Sequence, residues 1–249
     1  MTVMDDAFEL CGVTHLIRPW GEPAGDLEEL RRGIAAAPPE VLFRHAAQYP
    51  LRDPGAEELP PDDFSAWIGG VVQDDETAER LSFVVQGGAA SPDALRAAAL
   101  AVLDAIPERR RRERDAPPES RFRFLAAVSL SHPIGTTVRD GQGLVEALAA
   151  ADASAWFFHL VEQPWYGAGR APLLEWLAAT PDRRLAPWLR EAAAASLPLD
   201  KARARVLGRW RRSRIGRRVT EAAAHPHDAR REVGRRAVAR LLRRGGGAA

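Results

Sequence analysis

Residues 8–50 and 122–164 align without a gap at a constant offset of 114, and 12 of the 43 paired positions are identical. The identities are Phe8/Phe122, Leu16/Leu130, Pro19/Pro133, Gly21/Gly135, Asp26/Asp140, Leu30/Leu144, Ala35/Ala149, Ala36/Ala150, Ala37/Ala151, Phe43/Phe157, His45/His159 and Pro50/Pro164. Alanine matches carry little weight in an alanine-rich chain. The Phe, His, Gly and Asp matches are costlier to obtain by chance. An ungapped self-match of this length reads as an internal duplication, which constrains the architecture before any local feature does.

Each copy has the same plan. An apolar, partly alternating stretch (8–17 and 122–130) reads as extended chain. Pro19, Gly21, Pro23 and Gly25 interrupt it in the first copy. Asp26 and Asp140 are placed to cap helices striped by Leu27, Leu30 and Ile34, and by Leu144 and Leu148. A second helix follows, over 40–49 in the first copy. It carries His45 there and Trp156, Phe157 and His159 in the second copy, with Asp152 or Ser154 as the cap. Downstream in the first copy, Asp62 or Asp63 starts a helix bearing Phe64, Trp67, Ile68 and Val71. Helices over 75–85 and 92–106 come next, the latter capped by Ser91. Residues 107–120 form a charged, proline-bearing linker. Past 164 the copies drift: Pro172, Leu174 and Trp176 stand where the first copy has Asp63, Phe64 and Trp67. The expected domains are therefore repeat 1 (1–106), the linker (107–120), repeat 2 (121–200) and a tail (201–249). Helices are expected over 183–195, 202–224 and 229–242.

The tail is distinguished by charge. Between 201 and 249 there are 16 basic and three acidic residues, a net +13, while the preceding 200 residues carry −12. Such asymmetry fits either an arm for an anionic partner or a segment folded against the acidic body. Arg209, Arg211, Arg212, Arg214, Arg217 and Arg218, with Trp210 and Ile215 between them, form a candidate polyanion-binding face. Binding there would weaken with salt as counterions are released.

Other chemistry is sparse. The single cysteine, Cys11, excludes an internal disulfide framework and a cysteine-based zinc site. No apolar run approaches the length of a membrane span and no signal peptide is visible, so a soluble, cytoplasmic protein is the expectation. No phosphate loop, Gly-x-Gly-x-x-Gly, Gly-x-Ser-x-Gly or His-Glu-x-x-His is present, and neither cofactor nor metal is expected. His225-Pro226-His227-Asp228 has the spacing of a metal motif but lacks downstream ligands; a turn with an Asp cap accounts for it. His45 and His159 are the candidate ligand-binding or general-base pair, against a local packing role. Asp63, Trp67 and Trp176 complete the candidate site, against the alternatives of helix cap and helical core.

Several of these elements resemble a bacterial family known as domain of unknown function 5752. They are Phe8-Glu9-Leu10, Glu28-Glu29-Leu30, Val41-Leu42-Phe43-Arg44-His45, Asp63-Phe64-Ser65-Ala66-Trp67 and Ala78-Glu79-Arg80-Leu81. The second copy echoes them in Phe122-Arg123-Phe124, Ala155-Trp156-Phe157-Phe158-His159 and Leu174-Glu175-Trp176, without the Asp-Phe pair or the Ala-Glu-Arg-Leu run. The resemblance covers 8 to about 190 in two copies and implies architecture; it carries no activity. The expectation is a predominantly helical α+β protein of two pseudo-twofold-related repeats plus a basic helical extension. Its reading is a non-enzymatic binding or regulatory module. The alternative is an enzyme or ligand-binding protein for a sugar or nucleotide, with His45, Asp63 and Trp67 in a cleft.

Overall fold

In a computed structural model of the chain, residues 7–48, 62–86, 91–194 and 199–224 are described. The chain divides into two units, 1–206 and 207–249. Among the described residues the first unit is mostly helical around one two-stranded antiparallel sheet, an α+β arrangement. β1 spans Phe8–Pro19 and β2 spans Leu125–Val138.

The strands are longer than the expected extended stretches, and β2 runs through Pro133 and Gly135. The pairing explains why. Cys11 stands opposite Pro133 and Leu125 opposite Pro19. The amides of Cys11 and Leu125 are both bonded to histidine side chains, not to the ladder. These are therefore pairs whose backbone groups point outward, the positions where a proline removes no ladder bond. His15 faces Ser129 at the centre, with Thr14 opposite Leu130 and Leu16 opposite Val128. The register shifts once, between Leu10 and Cys11. Beyond the other end Trp20 N donates to Phe124 O, and an isolated bridge joins Ala24 to Phe122. Gly21 and Gly135 take left-handed φ values of 61° and 71°, which only glycine adopts without strain.

After β1, Asp26 Oδ1 accepts from Glu29 N and starts helix Leu27–Ala36. After β2, Asp140 Oδ1 accepts from Gly143 N and starts helix Gly141–Ala150. The single helix expected over 40–49 is instead a short α-turn, Pro39–Leu42, running into a π-turn, Phe43–Ala47. Helix Ala153–Phe157 likewise runs into the π-turn Phe158–Glu162. These two π-turns each hold one of the paired histidines; a third, Ile68–Val72, holds none. The caps left open by the sequence resolve to Asp62 for helix Asp63–Trp67 and to Asp152 for helix Ala153–Phe157.

Helices Asp75–Gln86 and Pro92–Asp104 pack together and against the first half. The charged run at 107–120 is tied down. Arg111 Nε donates to Glu28 at 2.5 Å and its Nη1 to Leu103 O, while Arg114 Nη1 donates to Val72 O at 2.9 Å. Arg111 and Arg114 thus act on carbonyls at helix C-termini, where cations are favoured. One core runs beneath the sheet, from Leu30, Ile34, Leu42 and Phe43 through Phe64 and Ile68 to Leu95, Leu103, Phe122 and Phe157.

Helices Pro172–Ala179 and Leu185–Ala194 follow, the latter close to the expected 183–195. The basic helix is Leu199–Ala224. Within the first unit its Ala202 and Val206 are buried, Arg203 donates to Ala149 O and Arg205 pairs with Glu191 at 3.1 Å. In the second unit Arg211 and Arg212 are exposed. The helix expected over 229–242 and the His225–His227 break lie outside the described residues.

Candidate functional site

The two histidines have matching chemistry. Leu125 N donates to His45 Nε2 at 2.9 Å, and Cys11 N donates to His159 Nε2 at 2.9 Å. A backbone amide can only donate, so each Nε2 is unprotonated and each Nδ1 carries the hydrogen. His45 Nδ1–H then donates to Asp63 Oδ2 at 2.7 Å, and His159 Nδ1–H to Gln163 Oε1 at 2.9 Å. Both rings are buried, 3% and 1% exposed. Burial holds His159 below the ordinary imidazole range, against the Gln163 contact, which acts the other way. In these states neither histidine presents an open ring nitrogen to a substrate.

The aromatic residues wrap the same clamps. Phe122 lies 4.8 Å from the His45 ring and 5.8 Å from Trp67, and Phe8 lies 5.3 Å from His159 and 5.4 Å from Trp176. Trp67 Nε1 donates to Ser120 O at 2.8 Å. The structure thus brings His45, Asp63 and Trp67 together around Phe122, and His159 and Trp176 around Phe8. The two groups are separated. Cys11 and Leu125 are eight ladder positions apart, roughly 26 Å at 3.3 Å per residue.

Asp62, adjacent to this group, is 1% exposed. Its Oδ1 accepts from Ser65 N at 2.8 Å, and its Oδ2 is buried without a partner. Burial, with a smaller contribution from Asp63, pushes its carboxyl up to about 6 against the opposing Ser65 and Phe64 hydrogen bonds.

At the sheet centre lies a second cluster. The His15 ring sits 5.8 Å from Phe43 and 6.1 Å from Phe157, which are 5.8 Å from each other. His15 Nε2 meets Glu162 Oε2 at 2.8 Å, and Glu162 is only 2% exposed. Neither residue stands out in sequence. The signal that could have found them is a mismatch within the self-aligned segments: at the offset of 114, His15 matches Ser129 and Glu162 matches Gln48. Beside this pair is an open groove of about 690 Å³, lined by Phe158, Glu162, Gln163, Tyr166, Ala168 and Arg170 among others. A second, of about 770 Å³, lies along β2 and helix Gly141–Ala150, where Thr136, Arg139 and Glu146 line it.

Of the candidate polyanion residues, Arg209 is half-buried and Arg211 and Arg212 are exposed; the side chains of Arg214, Arg217 and Arg218 lie outside the described residues. Among the described residues no group of three or more His, Cys, Asp or Glu side chains could hold a metal ion, and no helix is long and apolar enough to cross a membrane.

Among the described residues the fold is thus helical α+β on one long two-stranded ladder, with a π-turn histidine holding an outward strand amide toward each end. Residues 5–208 match the family of unknown function DUF5752, and the chain belongs to that family. The structure of OrfY from Thermoproteus tenax superimposes with a TM-score of 0.65 at 26% identity, over 81% of this chain and 93% of that one. No curated protein matches.

Proposed function

We propose that the chain is a non-enzymatic binding or regulatory module, made of two copies of one scaffold that exchange their strands, with a basic C-terminal arm for a polyanion. The observation that carries the module reading is the closure of both histidines, whose ring nitrogens are all engaged by the protein itself. The duplication is supported by correspondences at the offset of 114. Helix Leu27–Ala36 maps onto Gly141–Ala150, and left-handed Gly21 maps onto Gly135. The amide of Cys11 held by His159 maps onto the amide of Leu125 held by His45. His15 opposite Ser129 is a position paired with its own counterpart, as a twofold through that point requires. Each clamp reaches the strand of the other half, so the halves interlock.

The arm is supported by its +13 charge and by exposed Arg211 and Arg212. The test is titration of the full chain with a duplex oligonucleotide at several salt concentrations, alongside a variant with Arg211, Arg212, Arg214, Arg217 and Arg218 changed to Gln. The expected result is a steep fall in affinity with salt, about 0.9 in log–log slope per phosphate contact, and a shallower slope in the variant. Binding with no salt dependence, or equal binding by both proteins, would overturn the arm.

A further inference from the structure

We propose that the groove beside the His15–Glu162 pair binds a neutral polyhydroxylated ligand, a mono- or disaccharide. The first observation is the buried acid. Glu162 lines the groove although it is 2% exposed, and its Oε2 is paired to His15. Burying a carboxylate with an imidazole brings a desolvation penalty that an apolar pair would avoid, so such a pair is weak evidence of a stabilising role. The counterpart pair at the offset of 114, Ser129 and Gln48, carries no acid. On the duplicated reading above, the scaffold breaks its own symmetry at a buried position, and the altered half is the one that opens on this groove.

The second observation is backbone. Ala168, in the groove wall, has φ +50°, and Gly169 beside it has φ +88°. A left-handed alanine is strained, and such residues cluster where a site over-determines the chain.

The lining chemistry selects the class. The wall has one acid and one base, each with a side-chain partner: Glu162 is hydrogen-bonded to His15, and Arg170 is paired with Glu175 at 3.3 Å. The wall therefore makes no demand for an ionic ligand. Gln163 uses its oxygen to accept from His159, which leaves its amide hydrogens to donate. The Tyr166 phenol is held above its ordinary range by burial and the Glu162 and Glu40 carboxylates, against a hydrogen bond with Ser129, so it stays protonated. Phe158 and Tyr166 add aromatic carbon to the lining, which suits C–H groups. Donors and acceptors close together, flanked by aromatic faces and without net charge, match adjacent hydroxyls on a pyranose ring. The volume falls in the range of ligand cavities, about 300–1,000 Å³.

The test is saturation-transfer NMR on the full chain with glucose, maltose and sucrose at about 10 mM, a concentration suited to weak binders, with inorganic phosphate and spermidine as ionic probes. Two variants are compared, Glu162→Gln and Arg170→Ala. The first installs the residue found at Gln48, and the second removes an exposed side chain, so both should fold with melting temperatures near that of the parent. The expected result is transfer to at least one sugar, weakened about tenfold in both variants, as for loss of a charge-assisted hydrogen bond. No transfer to any of the three sugars, equal transfer to parent and variants, or binding of only phosphate or spermidine would overturn it. The arginine-to-glutamine arm variant should bind sugar as the parent does, which separates this outcome from failure of the polyanion reading.

Discussion

At the scale of single residues, the paired histidines are acceptors for strand amides. Replacing His159 with Ala removes the partner of the Cys11 amide and opens a buried space. The expected destabilisation is about 2–4 kcal/mol, measured by denaturant unfolding, with faster hydrogen exchange at Cys11. Two buried groups give opposite pH dependences. Asp62 has its folded pKa raised to about 6 from 3.8, so the folded state keeps a proton that the unfolded chain has lost. Its contribution is full below about pH 4 and is lost as pH rises through 6, on the order of 3 kcal/mol. Asp62→Asn keeps the cap oxygen and should flatten that limb of a plot of melting temperature against pH; an unchanged limb would contradict the assignment. His159 is depressed below 6.5, so its stabilisation is full above that pH and is lost as pH falls below it. Sequence marked both histidines by their repetition. Their role was not legible there, because it depends on which amide lies across a ladder 80 or 148 residues away in the chain. His15 and Glu162 are not legible for the related reason that their contact joins residues 147 apart in the chain.

At the scale of elements, the caps and helical stripes were readable because they rest on residues within one or two turns. Asp26, Ser91 and Asp140 each cap as their position implies. The π-turns were not readable, since an apolar helical stripe looks the same with one extra residue in a turn. The full length of β2 is not readable from the sequence, because a proline such as Pro133 is compatible with a strand only where its partner leaves the position outward. Two glycine substitutions separate conformation from packing. A Cβ at Gly21 meets nothing within 4 Å, so Gly21→Ala should lose only about 1 kcal/mol from the positive φ. A Cβ at Gly33 would lie 2.1 Å from the Phe124 ring, so Gly33→Ala should lose more, about 1–3 kcal/mol for overpacking. Thermal unfolding of both variants checks the order; a greater loss at Gly21 would contradict the packing account.

At the scale of the whole molecule, the proposed strand exchange makes each half depend on the other. Phe122 fills the space between His45 and Trp67, and Phe8 that between His159 and Trp176. Residues 1–106 produced alone should therefore remain largely unfolded, and should gain helical circular dichroism when mixed with residues 107–249. A fragment 1–106 that folds cooperatively by itself would count against the interlock. The self-match at an offset of 114 was visible in the sequence, but the proposed exchange was not, because identity between two segments says nothing about whether each strand pairs at home or across. Whether the two histidines are closed structural clamps can be read by ¹⁵N-resolved imidazole NMR of the full chain. The account predicts that His45 and His159 are both neutral Nδ1–H tautomers at pH 7, with Nε2 shifts of an accepting nitrogen and slowly exchanging amides at Leu125 and Cys11. An Nε2–H tautomer at either ring, or fast-exchanging amides at both strand positions, would contradict it.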